Sequence, residues 1–268
     1  MYNALMAYLY ETHLHTSPVS KCAISRGADY ITGYQDLGYS GIIVTDHFFN
    51  ANCSLSKKLP WSEWVNRFCQ GYEDAYNEGL KRNFDVFFGW EETFDGDDDY
   101  LVYGLDKNWL MEHPEVRTWT RKEQYTTVKN SGGCVVHAHP FRQRHYISKI
   151  VLSPSCVDAV EIVNGGHEDV SFDALASRYA KKIGKTVTAG TDIHNASDIE
   201  YNEIFGIYSE KKLNSISDYV NMVLNDGISG LRVNEDRIRF NGTENVRMPV
   251  EIIDINDEIT DKHWKDYI

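Results

Sequence analysis

Short apolar runs recur along the chain, and several end in His, Asp or Glu. The first, Ala4-Leu5-Met6-Ala7-Tyr8-Leu9-Tyr10, reads as a buried strand and leads into Glu11-Thr12-His13-Leu14-His15-Thr16. Successive side chains of a strand alternate faces, so His13 and His15 point the same way. Apolar positions at Ile24, Ala28, Ile31 and Leu37 predict a helix, bracketed at its end by Gly38 and Gly41. Ile42-Ile43-Val44 then predicts a strand that delivers Thr45-Asp46-His47. A helix is expected from about Trp61 to Arg82, with Trp61, Trp64, Val65, Phe68, Tyr72, Ala75 and Tyr76 on one side. The strand Val86-Phe87-Phe88-Gly89-Trp90 delivers Glu91-Glu92.

Asp95 to Asp99 reads as an acidic turn before the strand Tyr100-Leu101-Val102-Tyr103. Thr120 with Glu123 forms a capping box, opening a helix that ends at Gly132-Gly133. Cys134-Val135-Val136 predicts a strand ending in His137-Ala138-His139-Pro140. Val157 to Val163 predicts another, carrying Glu161 and leading to Asn164. A helix from about Ser171 to Ile183 closes at Gly184, and the strand Lys185 to Ala189 ends in Gly190-Thr191-Asp192-Ile193-His194. Alternation of this kind predicts an α/β fold, a parallel sheet with covering helices. The chemically capable residues follow the C-terminal ends of the strands, the face on which a β/α barrel builds its site. A doubly wound open sheet does the same and is the second choice. Six strand ends feeding one site favour the barrel.

After His194 the pattern changes. Ile216 to Leu224 predicts a helix, and Leu231-Arg232-Val233 with Arg237-Ile238-Arg239-Phe240 predicts a hairpin around Asn234-Glu235-Asp236. The acidic tail from Val250 matches no pattern. A single domain over residues 1–268 is expected, with the motif region at about 7–195 and the helix, hairpin and tail at about 205–268.

Length and composition narrow the function classes. The 268 residues suit one β/α barrel with a large core, and 42% hydrophobic with 25% charged residues is ordinary for a globular protein. A net charge of −13 argues against an extended nucleic-acid surface. A small phosphorylated substrate stays open, because bound divalent ions reverse the local field. No apolar run reaches the roughly 18–20 residues of a membrane span, and no lipidation signal is visible, so no membrane partner is expected. The first apolar run lacks a basic leader and reads as a strand rather than a signal peptide. Five scattered cysteines without a Cys-x-x-Cys pair predict reduced thiols and a cytoplasmic protein, in which the sequons at Asn52, Asn195 and Asn241 have no use. Nothing in the pattern bears on oligomeric state.

The candidate chemistry is metal binding. His-x-His occurs at His13/His15 and His137/His139, and Asp-x-His at Asp192/His194, each with spacing that puts both members on one side of extended backbone. Imidazole and carboxylate without thiolate suit zinc, manganese or iron better than calcium. More than four candidate ligands imply more than one ion, and ions roughly 3.5–4 Å apart can generate hydroxide and clamp a phosphoryl group.

The ordered set His-x-His-Thr, Thr-Asp-His, Gly-x-Glu, Ala-His-Pro-Phe-Arg and Gly-Thr-Asp-x-His resembles the polymerase and histidinol phosphatase (PHP) superfamily over roughly residues 7–195. The resemblance implies a distorted seven-stranded β/α barrel with two or three metal ions and phosphoesterase activity. By position it implies His13, His15, His47, Glu91, His139, Asp192 and His194 as metal ligands. Of the adjacent pairs Asp46/His47 and Glu91/Glu92, a strand points only one member at the site; the resemblance favours His47 and Glu91, and Asp46 then either supports a ligand from behind or is structural. His137 is either a further site residue or a histidine beneath the metals. Two departures stand out: the loop Pro18 to Cys22 lacks the acid common in the family, and Asp99 stands where many members have histidine. Asp99 is expected to replace it as a hard ligand.

Arg142, three residues after His139, is the candidate for the substrate phosphate because its planar fork matches phosphate oxygens. Lys21 would add charge from the first loop. Arg142 and Asp192 are the residues expected to act in catalysis. Glu161 and Asn164 resemble the family's Ile-Glu-x-x-Asn stretch and should shape the site floor, while His113, His145, His167 and His263 read as surface histidines. No Gly-x-Ser-x-Gly elbow or Walker A loop occurs. Cys22 as a nucleophile beside His15 is disfavoured, since His15 is committed to metal.

The expected activity is hydrolysis of a small phosphate mono- or diester, nucleotides included, by metal-activated hydroxide. Histidinol-phosphate hydrolysis is the alternative within the class. A catalytically silent metal- or phosphate-binding domain is the alternative outside it. A metal-dependent amidohydrolase also uses His-x-His, but its usual carboxylated lysine has no evident counterpart here.

Overall fold

The computed structural model describes residues 7–240 and 242–268; Ala4 to Met6 of the first predicted strand and the sequon at Asn241 lie outside them. The strands are β1 (Tyr8–Glu11), β2 (Gly41–Val44), β3 (Asp85–Phe94), β4 (Asp98–Tyr103), β5 (Cys134–Ala138), β6 (Ile150–Leu152), β7 (Ala159–Asn164), β8 (Thr186–Gly190), β9 (Gly206–Ser209), β10 (Gly230–Arg232) and β11 (Val250–Ile252). Nine of them form one sheet in the order β10-β9-β1-β2-β3-β4-β5-β7-β8.

The sheet curls until its far strand meets its first. Beyond β1, His13 C=O accepts from Asp192 N–H at 2.8 Å and His15 N–H donates to Ile193 C=O at 3.0 Å. A parallel bridge joins Leu14 to Ile193. The run from β1 to β8 therefore closes into a nearly complete barrel at its C-terminal rim. On the other half of β1, Tyr8 to Tyr10 pair antiparallel with β9, which in turn pairs antiparallel with β10. The sheet thus has nine strands where seven are expected, because this pair extends it along the free edge of β1.

Strand β4 departs from simple strand–helix alternation. Asp95 and Gly96 both have positive φ, 54° and 81°. They close a tight turn, and β4 folds back antiparallel to β3 and then antiparallel to β5. β3 is longer than predicted, so Glu91 and Glu92 lie within it and project to opposite faces.

Several helices match the periodicity and others shorten. The helices Ser171–Ile183 and Ile216–Leu224 have the predicted bounds. Arg121–Asn130 carries the predicted capping box, with Glu123 Oε2 accepting from Thr120 N–H at 2.9 Å. The predicted Trp61–Arg82 helix divides at Cys69 into Trp61–Phe68 and Gln70–Arg82. The first predicted helix shrinks to Tyr30–Asp36 after a 3₁₀ turn, because Ile24 and Leu37 are exposed and the inward positions are Tyr30, Ile31 and Tyr34.

The predicted hairpin around Asn234 is a correction. The chain instead forms β10 followed by a helix at Glu235–Arg239, with the Asn234 side chain accepting from Asp236 N–H as its N-cap. Acids in its first turn and arginines in its last complement the helix dipole, a local preference that the alternating apolar residues masked. The tail gains an element too: β11 pairs parallel with β6, Val250 opposite Ile150.

The core is aromatic on one side, where Phe48, Trp64, Phe68 and Trp90 cluster, and aliphatic between β7, β8 and the Ser171–Ile183 helix. Among the described residues no helix is long and apolar enough to cross a membrane.

Candidate metal centre

Seven side chains from five separate stretches converge at the C-terminal rim of the barrel. His13 and His15 leave the end of β1 on the same face, and their Nε2 atoms approach to 3.1 Å. His139 Nε2 lies 3.0 Å from Glu91 Oε1, and His13 Nε2 lies 3.3 Å from the same oxygen. His47 Nδ1 is 2.7 Å from Glu91 Oε2. Asp192 Oδ1 sits 3.0 Å from His15 Nε2 and 3.6 Å from His13 Nε2. The rings of His15 and His194 stack at 4.4 Å, and those of His15 and His47 at 4.2 Å.

Three ligand triads result, each with its donor atoms within 4.8 Å of one another: His15/His47/His194, His13/Glu91/His139 and His13/His15/Asp192. The first two share no residue. The third takes one histidine from each and adds Asp192.

Backbone geometry explains how the motifs reach this rim. His139 has φ 29° and Asp192 φ 55°, so both leave their strands in the left-handed region. His139 therefore does not share the direction of His137, although the i, i+2 spacing in extended backbone predicts that it does. His137 stays in β5, fully buried and stacked on Tyr100 at 5.0 Å, and belongs to none of the triads. It is the histidine beneath the site. Gly190 is required where it stands, because a Cβ there would come within 2.4 Å of the His13 Cβ and 2.7 Å of Glu161 Oε1.

A buried outer layer orients the imidazoles. Glu161 Oε1 lies 2.9 Å from His13 Nδ1, while its Oε2 accepts from His139 N–H at 3.1 Å and from Asn164 Nδ2 at 2.8 Å. With Nδ1 engaged, Nε2 of His13 faces the cluster. Ser20 Oγ lies 3.2 Å from His15 Nδ1 and donates to Asp46 Oδ1 at 2.7 Å. Asp46 also accepts from Thr16 N–H at 2.6 Å, so it holds the first loop, while Glu92 accepts from Asn50 N–H on the other face of β3.

The electrostatics suit cation binding. Burial, then the neighbouring His47 and His194, push His15 well below its ordinary value, and burial with Arg142 takes His139 down to about 4. Both rings therefore offer lone pairs at neutral pH. Burial disfavours charge on Glu91, yet His13 and His47 hold it well below the usual carboxylate range. Burial likewise opposes a proton on His13, yet the carboxylates of Glu161, Asp192 and Glu91 outweigh it and raise the ring well above its ordinary value. Without a metal, protons on the imidazoles balance the acids. Glu91 Oε2 and His47 Nδ1 are buried without a hydrogen-bond partner despite their proximity. Orphaned buried donors and acceptors of this kind are what a divalent ion would satisfy.

A cavity of about 940 Å³ adjoins the cluster at His47, Asp192 and His194, and is lined further by Cys22, Arg142, Arg144, His145 and Tyr146. Arg142 Nη2 donates to Asp192 Oδ2 at 2.6 Å and to Asn164 Oδ1 at 2.5 Å, while its Nε is buried without a partner. Asp99 lines the cavity 3.8 Å from His139 Nε2 and accepts from the Thr93 hydroxyl, outside the three triads. Lys21 is exposed and does not line the cavity.

No family model matches the sequence, and no curated protein does. Solved structures do match. A two-domain protein from Bacteroides vulgatus containing a predicted PHP-like metal-dependent phosphoesterase aligns with TM-score 0.58 and 12% identity over 83% of this chain. This chain shares its fold with the PHP-like phosphoesterases. It spans 64% of the length of that protein. An amidohydrolase from Chromobacterium violaceum, solved with sulfate and no metal, aligns at TM-score 0.50 and 11% identity over 85% of this chain and 99% of its own. Endonuclease Q, bound to a 27-mer duplex with an abasic lesion at the active site, aligns at TM-score 0.51 and 10% identity over 84% of this chain and 58% of its own.

On this PHP-like frame, sequence reasoning overlooked several residues. Glu11 is fully buried and its Oε1 accepts from His13 N–H and Thr191 N–H, both at 2.9 Å, tying the ends of β1 and β8 together. Its place two residues before His13, the first residue of the His-x-His-Thr motif, was the available signal. His167, expected at the surface, is buried with Nδ1 2.7 Å from Asp173 Oδ1, and His145 lines the cavity. No local pattern marks either.

Proposed function

We propose that this chain is a metal-dependent phosphoesterase acting on a small phosphate mono- or diester, nucleotides included. The observation that carries the reading is that His47, His194 and Asp192, drawn from the metal-capable triads, line one cavity together with Arg142, whose Nε is buried without a partner. His15, His47 and His194 would hold one ion, and His13, Glu91 and His139 a second. Asp192 stands between the two sets. A third ion would need Asp99 drawn in from beside His139. The donor set of imidazole and carboxylate accepts zinc, manganese or iron. Bound ions supply Lewis acidity to a phosphoryl oxygen and lower the pKa of water in the site.

The chain's own residues do the rest. Arg142 directs its guanidinium toward the phosphoryl oxygens, and Asn164 and Asp192 fix its plane. Glu161 keeps His13 in the tautomer with Nδ1–H, leaving Nε2 for the cluster. Arg144, paired with Glu168, and His145 line the part of the cavity that would receive the remainder of the substrate.

The test is phosphate release from a panel of aryl mono- and diesters, nucleotides and histidinol phosphate, with metal content measured by elemental analysis. Activity should vanish on chelation and return with one of the three metals. Protein carrying two equivalents of metal and releasing no phosphate from any member would overturn the enzyme reading. It would favour a silent binding domain. Amide substrates belong in the same panel because of the amidohydrolase neighbour.

A further inference from the structure

We propose that Arg237 is a positioning residue for Arg142: through Asp173 and Asn164 it sets, from behind the site, the guanidinium that meets the substrate phosphate. The inference rests on the phosphoesterase reading above and adds to it a residue from outside the motif region.

Asn164, the last residue of β7, is the link. It is fully buried, and its side chain faces two ways. Oδ1 accepts from Arg142 Nη2 at 2.5 Å and from Gly166 N–H at 2.8 Å, while Nδ2 donates to Glu161 Oε2 at 2.8 Å. One amide therefore holds both the arginine offered to the phosphate and the carboxylate that orients His13. An amide carries its acceptor on one side and its donors on the other, so turning it would break both contacts together.

The backbone of Asn164 is clasped by residues from further along the chain. Asp173 Oδ1 accepts from Asn164 N–H at 3.2 Å, and Arg237 Nη2 donates to the Asn164 carbonyl at 3.1 Å. The two clasping residues are themselves paired, Arg237 Nε donating to Asp173 Oδ2 at 2.5 Å. The remaining nitrogen, Nη1, meets Glu203 Oε2 at 3.2 Å. Asp173 is fully buried in the helix Ser171–Ile183, and Arg237 is 8% exposed on the helix Glu235–Arg239.

Such a pair loses its hydration on folding, so as a mere staple between two helices it gains little over an apolar contact. An apolar contact would hold the helices and leave the Asn164 peptide undirected. The planar fork of arginine supplies the direction, because Nε and Nη2 hold two acceptors at a fixed spacing. Arg142 in turn commits Nη2 to Asn164 and Asp192, while its Nε is buried without a partner. Contacts thus run unbroken from a helix beyond the motif region, through a buried ion pair, to the arginine beside Asp192 on the cavity wall.

The experiment compares Arg237→Lys with wild type, with and without Arg142→Lys, in the full chain. Lysine keeps the charge beside Asp173 and replaces the fork by a single nitrogen. Inorganic phosphate is the first probe, titrated calorimetrically into zinc-loaded protein. Arg237→Lys should weaken phosphate binding by about tenfold in the native background and leave it unchanged where Arg142 is already lysine. A merely structural role would weaken both backgrounds alike, and that result would overturn the proposal, as would no weakening in either.

The second readout needs no phosphate. In the metal-free chain labelled with ¹⁵N, the Arg142 Nε–H signal, assigned by its loss in Arg142→Lys, should be sharp and slow to exchange with solvent. Arg237→Lys should broaden it, and an unchanged signal would overturn the positioning. Wild type that binds no phosphate while this signal responds would overturn the phosphoesterase reading and leave the positioning standing. If the lysine variant fails to fold, Arg237→Gln with Asp173→Asn removes both charges together, and the same results decide.

Discussion

Two charged regions of this barrel invite comparison, because one satisfies its buried hydrogen-bonding groups and the other does not. Around Arg121, the guanidinium meets Asp98 side-on at 2.8 and 2.6 Å, reaches Asp257 at 3.0 Å and Asp95 at 3.1 Å, and Tyr100 O–H donates to Asp98 at 2.5 Å. Every charge there has a partner of opposite sign. At the rim, Nε2 atoms of two imidazoles face each other at 3.1 Å and a carboxylate oxygen is orphaned. Burial costs the same kind of desolvation in both places. The first region is a structural clamp that ties the C-terminal tail to the β3–β4 turn. The second is a preorganised shell with its cation left to be supplied.

If that contrast holds, breaking the clamp should affect stability alone. Arg121→Ala leaves Asp98 buried and unpaired, and should cost about 3–5 kcal/mol in denaturant unfolding while metal stoichiometry stays as in wild type. A loss of metal binding in this variant would merge the two regions.

The converse change acts at the rim. His13 belongs to two of the three triads. His13→Ala should lower the metal content and reduce phosphate release by about 10²–10³-fold, and should also lower the metal-free melting temperature because Glu161 loses its buried partner. Retained activity at full metal content would break the comparison from the other side.

A smaller effect follows from the outer layer. Glu161→Gln keeps the shape but weakens the hydrogen bond that orients His13. Zinc affinity should fall by about 10–100-fold in a competitive chelator titration.

The smallest effect is on pH. The surrounding carboxylates overcome burial and hold His13 and His47 above their ordinary values, so without metal both rings keep protons to higher pH. Metal must displace those protons, so affinity should rise with pH, by up to about tenfold per unit for each proton released. Calorimetry in buffers of differing protonation enthalpy counts them, and a proton count of zero would refute the charge balance described here.

How far the residues alone foretell this arrangement differs between the two regions. The rim is legible because its candidate ligands follow apolar runs, and at His13 and His15 the i, i+2 spacing in extended backbone sets both side chains on one face. The clamp is not: Arg121, Asp98 and Asp257 are ordinary surface-type residues in sequence, and only the closing of the tail over the β3–β4 turn buries them. Likewise Asp173 joins His167 to Arg237 from distant stretches. A charge marked by no periodicity reads as solvated until its partner is seen. The helix Glu235–Arg239 failed for a related reason: five residues are too few for period 3.6 to outweigh alternation.

The sequence by itself determined the alternation of strand and helix and the imidazole and carboxylate side chains that gather at one rim. These depend on local periodicity and on residue type, which the chain carries wherever it goes. Tertiary structure decided the rest. It added β9 and β10 to the edge of β1, turned His139 and Asp192 into the site through positive φ and left His137 beneath it. Each of those outcomes depends on where the barrel closes, a contact between residues far apart in the chain that no local pattern specifies.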